Sequence, residues 1–417
     1  MAISLRSLTF RHDPGNPAVS ALVIRQNKDF EVPVPEYDSA APVPPAESCA
    51  AYAIEPTAGH PVVVHAVLES PTPLTGDYEI RARGGGVLGR IPKTLVTFGG
   101  GTAVSVALPL SRRRFRSVGR HDVRWRWWIR KIGGGWQPLA TTRHRIYLTL
   151  DVPTAPWNQI PADKHNPWTD LLDECCDAAA GSRTDDRVAT ALTQRIHLGY
   201  PLKYDIRWGA PRYGFGGTGG SFHLTEWIQY VLRGQAPASP TFCQGDLHEY
   251  PDFDIVNCYD CAAALAIMAR ALGTPLGYHF HGPFGYLEYV RPIGRGKCNN
   301  PFPGCSGTDF AVGPDDSRTG FGNHAYTKLA GQNDYDACMR EWVPWWTRLL
   351  LLWLWAPIYG LTFGLVDLVH LRRRADGWLV DLPQPSYEQR TIDTSAPFEA
   401  AAAGGSPAPV PVDFTVT

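Results

Sequence analysis

Three side chains in this sequence have the types and spacing for nucleophilic acyl chemistry: Cys258, His324 and Asp336. A thiol attacks a carbonyl as thiolate, a histidine can take its proton, and a carboxylate can fix the histidine's tautomer. Cys258 stands at the start of Asn257-Cys-Tyr-Asp-Cys-Ala-Ala-Ala-Leu-Ala-Ile-Met-Ala-Arg-Ala-Leu-Gly273, a run of strong helix formers. Asn257 can cap this helix, Asp260 suits the positive end of its dipole, and Gly273 followed by Thr-Pro stops it. A cysteine in the first turn faces unpaired N–H groups, which favour thiolate and can serve an oxyanion. Cys258, Cys261, Leu265, Met268 and Leu272 share one face, which is expected to be the buried one. Cys261, one turn deeper, reads as a structural thiol. For Cys258 alone, structural and catalytic readings balance, so its partners decide.

Downstream, Pro275–His281 reads as a strand, and a Gly- and Pro-rich loop follows. Gly322–Leu329 and Asp334–Cys338 then read as two paired strands. A histidine at the head of one and an aspartate on the other can meet across the sheet. The pairing makes one demand. For His324 and Asp336 to share a face, the numbers of paired residues must sum to an even value. A plain Gly331-Gln332 turn gives an odd sum, so a three- or five-residue loop, or a bulge at Gly331, is predicted.

These segments resemble the transglutaminase-like superfamily. Its Cys-x-Asp-x-Ala motif and following helix appear as Cys258-Tyr-Asp260-Cys-Ala262 and Met268-Ala-Arg-Ala-Leu-Gly-Thr-Pro275. Its His-Ala-aromatic motif appears as His324-Ala-Tyr326, and its aspartate motif as Tyr335-Asp336. The resemblance covers residues 165–340 and a further strand at Trp378–Leu382. It implies an α+β, papain-like core, a Cys258–His324–Asp336 triad and thioester chemistry on amides of protein or peptide substrates. The members include peptidases, deamidases, cross-linking enzymes and inactive descendants. Gln244, upstream of the nucleophile, is the candidate for an additional oxyanion donor. The chemistry needs neither metal nor cofactor.

The elements that must position these groups belong to a longer chain. Its 417 residues, 44% of them apolar, call for two domains plus tails. Residues 1–152 read as an all-β, immunoglobulin-like sandwich, with short strands such as Val62–Leu68 and Val123–Ile132 between glycine-rich turns. Val152-Pro-Thr-Ala-Pro-Trp157 marks the boundary, and 158–340 forms the catalytic domain, with helices at Asp185–Leu198 and Leu224–Arg233. Gly214–Gly220 lacks the Lys-Ser/Thr ending of a phosphate loop and reads as a surface loop.

Residues 341–374 form an apolar insertion. Its Leu349–Leu371 core, flanked by arginines, fits a membrane segment and a globular or partner-facing insertion equally. Residues 375–399 complete the catalytic domain, and 400–417 read as a disordered tail.

Lys and Arg total 39 against 40 Asp and Glu, and Arg124–Lys131 alternates basic with apolar residues as a half-buried strand does. Neither feature favours a nucleic-acid partner. Nine cysteines, two of them adjacent at 175 and 176, do not form a disulfide framework. Zinc ligation by Cys258, Cys261, Cys298 and Cys305, with His279 and His281 nearby, fits poorly because the first pair lies within a helix. The strand-like start of the chain lacks a signal peptide's pattern, so synthesis in a reducing cytoplasm is expected. Export or membrane association of a bacterial effector or toxin follows by analogy with the domain combination.

Overall fold

The structure is a computed structural model that describes residues 3–158, 166–205, 209, 211–214, 220–235, 241–242, 249–250, 253–281, 290–295, 324–329, 334–341 and 414–416. It is a mixed α/β protein with many short sheets and few helices. The chain divides into two compact units, Met1–Thr184 with Ala271–Thr274, and Asp185–Arg270 with Pro275–Thr417.

The first unit holds strands β1 (Ser4–Thr9), β2 (Tyr37–Asp38), β3 (Cys49–Ala53), β4 (Val63–Glu69), β5 (Thr75–Gly84), β6 (Ile91–Gly99), β7 (Ala103–Pro109), β8 (Gly119–Lys131) and β9 (Gln137–Thr149). They form two sheets, ordered β2-β1-β4-β7 and β3-β9-β8-β5-β6. Alternation is legible residue by residue. Val123, Trp125, Trp127 and Ile129 of β8 are buried, while Arg124 and Arg126 between them are exposed. Phe10, just past β1, stacks on Trp125 of the other sheet with ring centroids 6.0 Å apart. On the outer face of this sheet Arg130 of β8 donates to Glu79 of β5 at 2.6 Å, and the Arg81 guanidinium of β5 sits 3.9 Å from the centre of the Trp136 ring.

Helix α1 (Thr169–Ala178) carries the first unit past the expected boundary at Val152–Trp157. Charged and polar contacts bind it to the sheet. Asp173 accepts from Tyr147 Oη at 2.8 Å and pairs with Arg145 at 3.1 Å, and Arg120 reaches Asp177 at 2.7 Å.

The second unit holds α2 (Asp185–Gly199), β10 (Lys203–Tyr204), β11 (Gly220–Phe222), α3 (Leu224–Glu226, continuing as a π-helix over Trp227–Leu232), β12 (Thr241–Phe242), β13 (Glu249–Tyr250), β14 (Ile255–Val256), α4 (Cys258–Ala271), β15 (Gly277–His281), β16 (Val290–Pro292), β17 (His324–Lys328), β18 (Asp334–Tyr335), β19 (Met339–Glu341) and β20 (Phe414–Val416). The sheet that matters for the site is β15-β17-β18, antiparallel throughout. Helix α4 differs from the one-faced helix expected. Ala262, Ala263, Ala264, Ala266, Ile267 and Ala269 are buried as completely as Cys261, Leu265 and Met268. A helix apolar on every side has no face to show water and becomes the core of its unit. It ends as expected, with Gly273 at φ +83°.

Phe414–Val416, in the tail expected to be disordered, pairs in parallel with β11, as its β-forming composition permits. Gln244, Cys298, Cys305, the Leu349–Leu371 block and residues 375–399 lie outside the described residues. Among the described residues, no helix is long and apolar enough to cross a membrane.

Candidate active site

Cys258 is the first residue of α4, and the turn that holds it is locked by a reciprocal cap. Asn257 Oδ1 accepts from the Asp260 amide at 3.1 Å, while Asp260 Oδ2 accepts from the Asn257 amide at 3.1 Å. This is a capping box built from Asn and Asp. The Asp260 carboxylate also accepts from the amides of Arg212 (2.9 Å), Tyr213 (2.6 Å) and Gly214 (2.7 Å), and Asn257 Nδ2 donates to Gly209 O at 2.7 Å. Burial raises the Asp260 pKa to about 6, against the pull of those amides, which favour its charged form. Asp260 thus clamps the backbone of Arg212, Tyr213 and Gly214 to the mouth of the helix that carries Cys258. Sequence reading assigned it only a dipole role.

His324 is the first residue of β17 and is completely buried, as are its neighbours Ala325 and Tyr326. The register of β17 with β18 sets Thr327 opposite Tyr335 and Lys328 opposite Asp334, both even sums. That is the register the shared face demands, with residues 329–333 between the paired positions. His324 Nε2 and Asp336 Oδ2 lie 2.7 Å apart. Asp336 is not on a strand as expected: β18 stops at Tyr335. The other oxygen, Oδ1, accepts from the amides of Cys338 and Met339 at 2.8 Å each, so the side chain turns the chain and ends the strand. Both carboxylate oxygens are held, one by backbone and one by the imidazole. From α2, His197 Nδ1 makes a 3.0 Å contact with Ala337 O and steadies the same turn.

Burial alone would lower the pKa of His324, yet it is raised to about 10. The charge of Asp336 and its hydrogen bond outweigh desolvation, and a side-chain hydrogen bond and charge from Cys258 add to them. With Nε2 committed to Asp336, Nδ1 is the nitrogen left to face the thiol. The structure therefore brings Cys258, His324 and Asp336 together. Cys258 is 4% exposed, and Tyr204 and Tyr278 are near enough to feel its charge.

Cys261 and Cys338 form a second, separate thiol pair joined by a side-chain hydrogen bond, and burial pushes the Cys261 thiol up. Cys261 lies one turn deeper in α4 than Cys258 and is fully buried. Among the described residues, no group of three or more His, Cys, Asp or Glu is disposed to hold a metal ion. His279 stacks on Tyr326 with ring centroids 5.6 Å apart. Sequence reading named Asn257 as the cap, but Asp260's reciprocal bond and the His197 brace escaped it. The pattern Asn-x-x-Asp before an apolar helix was the available signal for the first, and nothing local signals the second. No family model matches the chain, and no curated protein matches its sequence.

Proposed function

We propose that the second unit is a transglutaminase-like cysteine enzyme acting on amide bonds through a thioester. One observation carries this reading: the buried His324–Asp336 pair at 2.7 Å, set beside the first-turn Cys258. His324 takes the Cys258 proton and becomes imidazolium, its charge borne by Asp336. The thiolate attacks the amide carbonyl, and the carbon–oxygen π pair moves to oxygen. On this reading the Cys258 amide, an N–H of the first helical turn, stabilises that oxyanion. His324 then returns the proton to the leaving nitrogen as the carbon–nitrogen bond breaks, giving amine and thioester. Water or a second amine, deprotonated by His324, resolves the thioester. On this reading the two sheets of the first unit form an immunoglobulin-like sandwich that presents a protein or peptide substrate.

A second reading has its own support. Cys258 is 4% exposed and His324 is not exposed at all, as suits a fold that keeps the triad as a structural network and binds without turnover. Timed labelling of the full chain with iodoacetamide near neutral pH separates the two, with modified residues assigned by peptide mass spectrometry. The enzyme reading expects Cys258 to react faster than the buried Cys49, Cys175, Cys176, Cys261 and Cys338, and to lose that advantage in His324→Ala. Labelling of Cys258 at the rate of those five favours the binding module.

A further inference from the structure

The acyl-transfer reading makes no use of the loop between β7 and β8, which carries Arg112, Arg113, Arg114 and Arg116. That loop is fixed. The Ser111 amide donates to Arg90 O at 2.9 Å and Ser111 Oγ accepts from the Arg90 amide at 3.1 Å. The Gly59 amide donates to Arg113 O at 2.9 Å, and Phe115 is buried against Tyr52, ring centroids 5.5 Å apart. Arg183 joins from the segment after α1, where the Val118 amide donates to Ser182 O and the Gly181 amide to Val118 O, each at 2.9 Å. The five arginines line one concavity of about 800 Å³, and no carboxylate lines it.

What sets these arginines apart is their clustering around one concavity, since isolated arginines such as Arg124 and Arg126 also have no ion pair among the described residues. Elsewhere Arg6 pairs with Asp38, Arg120 with Asp177, Arg130 with Glu79 and Arg145 with Asp173. Arg112, Arg113, Arg114, Arg116 and Arg183 are all exposed, and among the described residues none forms an ion pair. Like charges held together on a pinned loop repel one another, and the field they create is unspent in a chain of net charge −1. Guanidinium forks match phosphate oxygens two by two, which favours phosphate over a diffuse anion. Phe115, the aromatic residue in the lining, is 6% exposed and offers no platform for stacking a base, which disfavours single-stranded nucleic acid.

We propose that this concavity binds a ligand bearing several clustered phosphate groups, either a free polyphosphorylated small molecule or a phosphoinositide headgroup. The site lies wholly in the first unit and stands whether or not Cys258 is catalytic.

Calorimetric titration of the full chain with tripolyphosphate and with inositol hexakisphosphate, at about 0.15 M salt, tests it. One-site binding in the micromolar range or tighter is expected. The Arg113→Gln/Arg114→Gln double variant should weaken it at least about tenfold, and the corresponding lysine variant less, since lysine keeps the charge but loses the fork. Arg112→Gln/Arg116→Gln provides a second pair, and unchanged melting temperatures show that the variants are folded. Vesicles of phosphatidylcholine with phosphatidylinositol 4,5-bisphosphate form the other arm. Binding that tripolyphosphate displaces supports the proposal with a lipid source, and soluble binding without vesicle binding supports it with a free one. Absence of binding to both soluble phosphates overturns it. So does affinity undiminished in both glutamine variants, or binding of single-stranded RNA alone.

Discussion

Two fully buried histidines, one in each unit, have opposite fates. His144 of β9 lies among Phe10, Tyr37 and Trp125, all edge-on to it, with Ser48 Oγ 2.8 Å from its Nδ1. Burial pushes its pKa down to about 3. His324 is no less buried, yet its pKa is raised, because Asp336 stands 2.7 Å away. Burial does not make a base. A hydroxyl neighbour leaves the imidazole neutral and inert in an aromatic box, whereas a fixed carboxylate turns the same ring into a cation holder. The two units differ in the same way overall. The second buries more charged side chains, with Asp205, Arg212, Asp260, Asp334 and Asp336 in its interior against Arg25 and Glu36 in the first.

The largest effect should come from making His324 resemble His144. In Asp336→Asn the side-chain oxygen can keep the Cys338 and Met339 amides, but an NH2 then faces His324 Nε2. That nitrogen must become an acceptor, so Nδ1 carries the proton and can no longer take one from Cys258. Cys258 labelling near neutral pH should fall at least about a hundredfold. The ring's own titration, read by nitrogen NMR, should move from above 6.5 to below it. A labelling rate within a factor of about two of wild type would dismiss the triad.

Asp260→Asn comes next and breaks the comparison from the other side, through the cap rather than the base. One carboxylate oxygen becomes an NH2 pointed at backbone donors, leaving buried amides among Arg212, Tyr213, Gly214 and Asn257 unpaired. A loss of about 2 to 3 kcal/mol in stability is expected, measured by urea unfolding. His144, in the other unit, should titrate unchanged. Wild-type stability in this variant would mean that the clamp contributes little.

Much of this was legible in the sequence, and the failures share a physical cause. Val123–Ile129 announced its strand because each side chain's face follows from a local period of two. The even register of β17 with β18 could be demanded in advance because it depends only on chain connectivity and a shared face. Asp336 was expected on a strand, since nothing in Tyr335-Asp-Ala-Cys shows that the carboxylate will take the amides of residues 338 and 339. The all-round burial of α4 was also hidden. Alanine fits a buried or an exposed face, and only the neighbours around Ala262–Ala269 decide which. Helix α1 was not read at all, and its charged contacts to Arg120, Arg145 and Tyr147 depend on residues far away in sequence. Periodicity exposes what a segment does by itself, and long-range polar contacts remain invisible to it.

The smallest effect should come from His144→Phe, which sharpens the contrast without touching the site. Phenylalanine nearly matches the imidazole in volume and suits the aromatic box, so the main loss is the partner of Ser48 Oγ, about 1 kcal/mol. The pH dependence is more telling. A histidine whose folded pKa lies near 3 contributes stability that is complete above its unfolded value near 6.5 and is lost as pH falls from there toward 3. His324 works in the opposite sense. Its raised folded pKa gives stability that is complete below 6.5 and is lost as pH rises through about 10. Melting temperatures across this range should therefore show His144→Phe flattening the acid limb and leaving the alkaline limb intact. Asp336→Asn should do the reverse. An acid limb as steep in His144→Phe as in wild type would assign it to another imidazole with a lowered pKa, such as His197, and would leave His144 without a role in it; Glu36, whose pKa burial raises, acts in the opposite sense.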